Sequence, residues 1–339
     1  VIVDLRSDTV TRPTGAMRRA MADAEVGDDQ YGEDPTVERL QELAADLLGK
    51  EAALYVPSGT MGNQLALLAL TCPGDAVVAG ATSHVVLYED GAGPRNAGIT
   101  WLAVPDGDGT LAADAVAAAI DGVEHHQPRV TLVALEDTHM AAGGRVWPSG
   151  QREAVAAAAA RRGLPVHLDG ARLWHASAAT STPVATLAAP ATTVMCCLSK
   201  GLAAPVGSLL AGPRDVIDRA RRERHRLGGA WRQAGVIAAA GLVALDTMRE
   251  RLVEDHRRAR VLAEAVAERW PDGGLDPDAV QTNIVTFAHP RPAELLAHLG
   301  AAGVRAGTVA PGRVRLVTHA DVDDAGVGRA AEALRRAPD

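Results

Sequence analysis

The stretch VMCCLSKGLAAPVGS, residues 194–208, decides how this chain is read. Its first five residues are apolar and have the composition of a buried strand. They end at Ser199 and Lys200, and a turn containing Gly and Pro follows. Lysine is scarce here: of 34 basic side chains only Lys50 and Lys200 are lysines, and the rest are arginines. A position that keeps lysine where arginine serves elsewhere is a candidate for chemistry a guanidinium cannot perform. A primary amine can lose its proton and attack a carbonyl, whereas arginine stays protonated. Lys50, in LLGKEA at the end of an amphipathic stretch, reads as a solvated helix C-terminus, where a cation interacts favourably with the helix dipole. Lys200, at the end of an apolar run, is the reactive candidate.

Outward from this stretch, short apolar runs at 53–56, 76–78, 99–104, 130–135, 165–168 and 194–198 read as strands. Between them, 37–48, 62–70, 111–120 and 152–162 read as helices. That alternation predicts an α/β fold, a mostly parallel sheet covered on both faces. Longer helical patterns follow at 214–226, 233–250 and 255–269. The turn-rich PDGGLDPD, 271–278, breaks the composition. Beyond it, runs at 284–287 and 314–317, a helix near 292–299 and a last helix to about residue 335 predict a small α+β unit. The expected division is an N-terminal arm over 1–15, a large domain over 16–250 and a small C-terminal domain over 251–339. No internal repeat is visible, and the alanine-rich AVAAAAARR keeps its helix propensity.

Hydrophobic residues make up 47% of the chain, enough to bury a sizeable core. A net charge of −8 leaves no basic excess to neutralise phosphates, so a nucleic-acid partner is not expected. The dense basic patch RARRERHR, 219–226, reads as a solvated helix face. Cys72, Cys196 and Cys197 lack metal-ligand spacing, and no metal is expected; the adjacent pair reads as small core residues. So sparse a count suits a reducing compartment. VIVDLRSDTV has no apolar signal region, and no run approaches membrane-span length, so the expectation is a soluble, cytoplasmic protein without a membrane partner.

SGTMGNQ, 58–64, links a strand to a helix. Gly59 would let the backbone approach a ligand, and Thr60 would stand at a helix N-terminus whose free N–H groups suit a phosphate. The stretch matches neither a Walker loop nor GxGxxG, and a simple helix cap is the plainer alternative. In PVHLDGAR, 165–172, Asp169 ends an apolar run at the C-terminal edge of the expected sheet, where open α/β folds place ligands. A buried carboxylate there needs a cationic partner. Arg172 could supply it as a structural ion pair; alternatively, Asp169 holds a proton on a heterocyclic nitrogen. A phosphate seat, a sheet-edge aspartate and a lysine at the end of the next strand together describe a pyridoxal 5'-phosphate site. The lysine would form the Schiff base and the aspartate would keep the ring nitrogen protonated, so that the ring can accept electrons.

On these residues the chain resembles the low-specificity L-threonine aldolases, in the β-eliminating lyase/threonine aldolase group of fold-type I enzymes. The likeness rests on DLRSDTVTRPT (4–14), DDQYGEDPTV (28–37), PSGTMGNQ (57–64), SHVVLYEDGA (83–92) and EDTHMAAGGRVWP (136–148). It continues through HLDGARLWHA (167–176), CLSKGLAAPVGS (197–208), LGGAWRQAG (227–235) and VRLVTHAD (314–321). The resemblance implies a large domain with a mostly parallel, seven-stranded-type sheet. It implies Lys200 as the Schiff-base lysine, Asp169 on the ring nitrogen, and Gly59 and Thr60 on the phosphate. His84 would stack on the ring, Ser7, Arg172 and Arg315 would clamp the substrate carboxylate, and Arg172 would also belong to the cofactor-binding set. Arg232 would reach the phosphate of a neighbouring subunit, in a homotetramer built as a dimer of catalytic dimers. His126, ten residues before Glu136, has the spacing of a family histidine near the substrate hydroxyl, with a solvated loop histidine as the alternative. His139 is expected to be structural, and His175 and His225 are assigned no role.

Three departures leave the native substrate open without touching the cofactor contacts. Met140 stands where asparagine is usual, Gly228-Gly229-Ala230 replaces a triple glycine, and His225 replaces a commonly basic residue. The implied reaction is reversible cleavage of L-threonine, L-allo-threonine or a related L-β-hydroxy-α-amino acid to glycine and an aldehyde. His84 is the first candidate for the base on the β-hydroxyl and His126 the second. A threonine transaldolase or a β-eliminating amino-acid lyase would share the scaffold. A non-catalytic nucleotide-binding protein using only the SGT turn is the alternative from another class.

Overall fold

Twelve strands make three sheets in the computed structural model, which describes residues 2–271 and 275–338. Residues 272–274 of the turn-rich break lie outside the described residues. In chain order the strands are β1 (Val3–Asp4), β2 (Ala52–Val56), β3 (Ala76–Gly80), β4 (Thr100–Val104), β5 (Val130–Glu136) and β6 (Val166–Asp169). They continue with β7 (Thr193–Cys197), β8 (Ser208–Gly212), β9 (Ile284–Ala288), β10 (Val304–Arg305), β11 (Gly307–Ala310) and β12 (Arg313–Val317). The seven-stranded central sheet has the order β2-β8-β7-β6-β5-β3-β4. β4, β3, β5, β6 and β7 are parallel, and β8 runs antiparallel to both β7 and β2. Every residue of β3 and β7 is buried, because helices cover both faces.

β8 was not among the expected strands, since SLLAG is short and sits directly after a Gly/Pro turn. Its presence decides where Lys200 goes. β7 and β8 form a hairpin-like pair whose connection, 198–207, is closed by Leu198 N donating to Gly207 O (3.1 Å) and Ala204 N donating to Leu198 O (3.0 Å). Gly207 lies at φ +107°, and a Cβ there would meet the Tyr55 ring at 2.4 Å, so both backbone and space require glycine. The expected helix at 37–48 is Pro35–Leu48, capped by Asp34 and stopped by Gly49 in the left-handed region. Lys50, just beyond, is not the solvated helix end that the sequence suggests: its Nζ donates to Ala191 O at 2.6 Å, and burial lowers its pKa.

The apolar helix Gly235–Thr247 is buried largely by two helices of its own chain, Gly15–Ala22 and Pro35–Leu48. A second apolar cluster joins the helix Leu252–Arg269, β9, β12 and the last helix, Asp324–Arg335, and it also takes in Val3 and Leu5. β1 pairs in parallel with β10, and Leu5 O accepts from Val317 N (2.8 Å). The first residues therefore run from the C-terminal sheets to the edge of the central one, where Thr11 Oγ1 donates to Lys200 O (3.1 Å). Among the described residues no helix is long and apolar enough to cross a membrane.

Candidate active site

The C-terminal ends of β5, β6 and β7 lie side by side and present Glu136, Asp169 and the Lys200 turn. Asp169 is 2% exposed, and its oxygens accept from Asn63 Nδ2 (2.8 Å) and Ala171 N (3.0 Å). Asn63 Nδ2 also donates to Glu89 Oε1 at 2.8 Å. Two carboxylates thus fix the orientation of the Asn63 amide, whose Oδ1 must then accept from His167 Nε2 (3.0 Å). His167 Nδ1 in turn accepts from Thr193 Oγ1 (2.9 Å). Burial pushes the His167 pKa down to about 4, so the ring is neutral and holds this tautomer. Glu89 Oε2 accepts from Gln64 Nε2 (2.7 Å). The site has a buried floor in which each of these polar groups is hydrogen-bonded.

His84 stands above the floor. Its Nδ1 lies 3.1 Å from Glu89 Oε1, which can only accept, so Nδ1 carries the proton and Nε2 is left available. Burial alone would lower the His84 pKa, but the Glu89 hydrogen bond and the Asp169 charge outweigh it and raise it. Glu136 fixes the backbone here, accepting from His84 N (2.6 Å) and Met140 N (2.8 Å), and burial raises its pKa. Ligand atoms of His84, Glu89 and Asp169 lie within 4.8 Å of one another, a set that could hold a metal ion. Between the two carboxylates, however, stands the Asn63 N–H group.

The mouth of the site contains two arginines in different situations. Arg172 does not pair with Asp169, as one reading of the sequence had it; it grips Asp8 through Nε (2.8 Å) and Nη2 (2.6 Å). Burial would raise the Asp8 pKa, but the Arg172 charge and hydrogen bonds hold it well below the usual carboxylate range. Arg315, on β12, donates from Nη2 to Arg6 O (3.0 Å), and its Nη1 faces Met140 Sδ at 3.3 Å. Its Nε is buried without a hydrogen-bond partner, and it makes no ion pair among the described residues. Lys200 is close enough for its charge to act on Asp8 and His84. Ser7 caps the short turn Asp8–Val10, accepting from Thr9 N (3.2 Å).

The helix Gly59–Leu70 is capped by Ser58, whose Oγ accepts from Met61 N (3.1 Å). Helix geometry leaves the N–H groups of Gly59 and Thr60 without intrahelical acceptors. The packing around Gly59 gives a reason for glycine there besides the expected approach to a ligand. A Cβ there would stand 3.0 Å from Cys197 Sγ and 3.1 Å from Met195 Cε, so the glycine lets the helix pack on β7. His139 has the structural role expected, with Nε2 3.1 Å from Asp106 Oδ2 and Nδ1 accepting from Ala142 N.

Two expected site residues are not brought to this cluster within one chain. His126 is exposed on the loop before β5, its ring 3.8 Å from that of His125. β5 runs from that loop to Glu136, so His126 is at the opposite end of the sheet, roughly 20 Å away at about 3.3 Å per residue. Arg232 is exposed and contacts Gln30 and Asp28. Conversely, Asp8, Asn63, Glu89, Glu136 and His167 all lay inside quoted motifs but were assigned no role. The polar residues Asn63 and Gln64 in an otherwise apolar helix were the available signal.

The sequence matches the family described as beta-eliminating lyase over residues 4–290. It is 42% identical to the probable low-specificity L-threonine aldolase 2 of Arabidopsis thaliana, over 96% of this chain and 94% of that one. It is 41% identical to the low specificity L-threonine aldolase of Escherichia coli K12, over 95% of each chain. Among solved structures, a threonine aldolase of Leishmania major is similar at a TM-score of 0.85 with 21% identity, over 98% of this chain and 99% of that one. The two share the fold.

Proposed function

The chain belongs to the beta-eliminating lyase family, and on that premise we propose that it is a pyridoxal-phosphate-dependent aldehyde-lyase. It cleaves L-threonine, L-allo-threonine and related L-β-hydroxy-α-amino acids to glycine and an aldehyde, in keeping with its relatives' names. One observation carries the reading: among the described residues, the buried carboxylate of Asp169 is hydrogen-bonded by neutral N–H donors and by no cation. A buried charge of this kind calls for a positive partner, and a protonated ring nitrogen supplies one. The orphaned Nε of Arg315 makes a matching case for a bound anion.

The cofactor, when bound, supplies the electron sink for the pair released as the Cα–Cβ bond breaks. The chain does the rest. The Lys200 amine holds the cofactor's aldehyde carbon, and Asp169 keeps the ring nitrogen protonated. The free N–H groups of Gly59 and Thr60 hold the phosphate at a helix N-terminus. Asp8 occupies two of the three nitrogens of Arg172, so Arg315 provides most of the carboxylate grip, with Ser7 nearby. His84 would lie against the cofactor and would take the β-hydroxyl proton at Nε2, while Glu89 fixes its tautomer. Arg232 and His126 take part only as residues of another subunit, in the homotetramer we propose. The same proposal puts the protein in the cytoplasm, where Cys72, Cys196 and Cys197 stay free thiols. The small domain begins at residue 251, ahead of the helix that packs on β9.

The test is incubation with L-threonine, L-allo-threonine and L-phenylserine. Release of glycine with an aldehyde supports the reading. A keto acid would make the enzyme a β-eliminating lyase, and glycyl transfer to an added second aldehyde would make it a transaldolase.

A further inference from the structure

His175 lies in the helix Leu173–Thr180 that follows Arg172, and it is 2% exposed. Its Nδ1 is 2.9 Å from Nε2 of His256, on the helix Leu252–Arg269. This hydrogen bond joins the helix layer of the central sheet to a helix of the second apolar cluster. The other ring nitrogen, Nε2, is buried and has no hydrogen-bond partner among the described residues.

That nitrogen faces the turn that carries Lys200. A Cβ added to Gly201 would stand 2.3 Å from His175 Nε2 and 3.1 Å from Cε1 of the same ring. Gly201 is not one of the glycines at positive φ, so its backbone would accept any residue. Glycine is needed at 201 because the imidazole already fills the side-chain space. On its other side the turn is held at the Lys200 carbonyl, which accepts from Thr11 Oγ1 (3.1 Å) and Ala203 N (2.8 Å). Lys200 is thus flanked by a hydrogen-bonded carbonyl and a packed ring. Burial and the neighbouring His256 hold the His175 pKa well below its ordinary value, so the packed ring brings no positive charge toward the amine or Arg172.

We propose that His175 is a positioning residue for Lys200: its imidazole, oriented by His256, packs against Gly201 and fixes the backbone from which the reactive amine projects. This rests on the reading of Lys200 as the amine that holds the cofactor.

The test compares wild type with Gly201→Ala, His175→Ala and the double variant, each with and without pyridoxal phosphate. One readout is thermal unfolding of the cofactor-free protein. The other is the cofactor concentration that half-saturates the visible absorbance of the lysine-bound form. Gly201→Ala should melt lower and need about tenfold more cofactor, the scale of coupling between residues in contact. His175→Ala alone should need several-fold more cofactor because the ring no longer supports the turn, and wild-type affinity in it would overturn the proposal. In the double variant the methyl introduced at position 201 enters the space the ring leaves, so both readouts should improve on Gly201→Ala. If Gly201→Ala gives no soluble protein, recovery of a soluble, cofactor-binding double variant is the same result. A double variant no better than Gly201→Ala overturns the proposal. So does a Gly201→Ala protein that melts lower yet binds cofactor as wild type does, because His175 would then be structural only. Borohydride reduction and peptide mapping of wild type check the underlying reading separately. A label on Lys50 would refute the role of Lys200, while rescue in the cofactor-free melting would still report the contact between residues 175 and 201.

Discussion

The floor and the mouth of the site are built on opposite terms. In the floor, Thr193, His167, Asn63, Asp169, Glu89 and Gln64 form one chain of hydrogen bonds. At the mouth, Arg315 keeps a buried Nε without a partner and turns another nitrogen toward a thioether. A satisfied network holds its members still and is costly to disturb. A partly satisfied arginine with a free donor offers a binding opportunity. The difference predicts that floor substitutions cost stability, whereas substitution of Arg315 costs substrate affinity.

Lys200→Arg, between the two regions, should have the largest effect. Arginine keeps the charge but cannot bond covalently to an aldehyde, so glycine release should fall to background with the fold intact by circular dichroism. Asn63→Leu comes next. It strips partners from Asp169, Glu89 and His167 together, and chemical denaturation should show a loss of about 3 kcal/mol. A loss under about 1 kcal/mol would mean that the floor is not a connected network.

The floor also sets a pH dependence. His167 is neutral down to about 4 in the folded state but titrates near its ordinary value when unfolded. Between roughly pH 6.5 and 4 the unfolded chain therefore binds the extra proton, and stability falls as the pH falls. The full contribution is up to about 3 kcal/mol by pH 4. Replacing it by glutamine, His167→Gln, should flatten that slope in a series of denaturation curves, and an unchanged slope would exclude His167 as its source. Arg315→Ala is the smaller, contrasting case. It should lower kcat/KM roughly 30-fold, mainly through KM, for loss of charge-assisted hydrogen bonds worth about 2 kcal/mol. Its melting temperature should stay within about a degree of wild type; a large drop would erase the distinction between floor and mouth.

Strand positions were legible in the sequence because a parallel sheet buried on both faces leaves short, continuous apolar runs. The floor's partnerships were not. Asn63 and Asp169 are far apart in sequence, as are Asp8 and Arg172, and no local pattern encodes which long-range pair will form. β8 was not legible because a Gly/Pro turn precedes it and only Leu209, Leu210 and Ala211 of its five residues are hydrophobic. His126 shows what spacing alone leaves open, namely whether a residue serves its own chain or a neighbour. Its distance in sequence from Glu136 matched a family pattern, but a whole strand intervenes, which takes the two to opposite ends of the sheet. Lys50 and Lys200 looked like one solvated and one special lysine; in the structure both are tied into the chain, one through its side chain and the other through its backbone.

The central claim is that Asp169 is a buried charge whose partner is the cofactor's ring nitrogen. The most direct measurement is the rise in melting temperature that saturating pyridoxal phosphate gives to wild type and to Asp169→Asn. A neutral amide keeps the size of the side chain but cannot balance a protonated ring. The account predicts a clearly smaller rise for Asp169→Asn, together with loss of most glycine release. An equal rise in the two proteins would contradict it, because another group would then face the ring nitrogen.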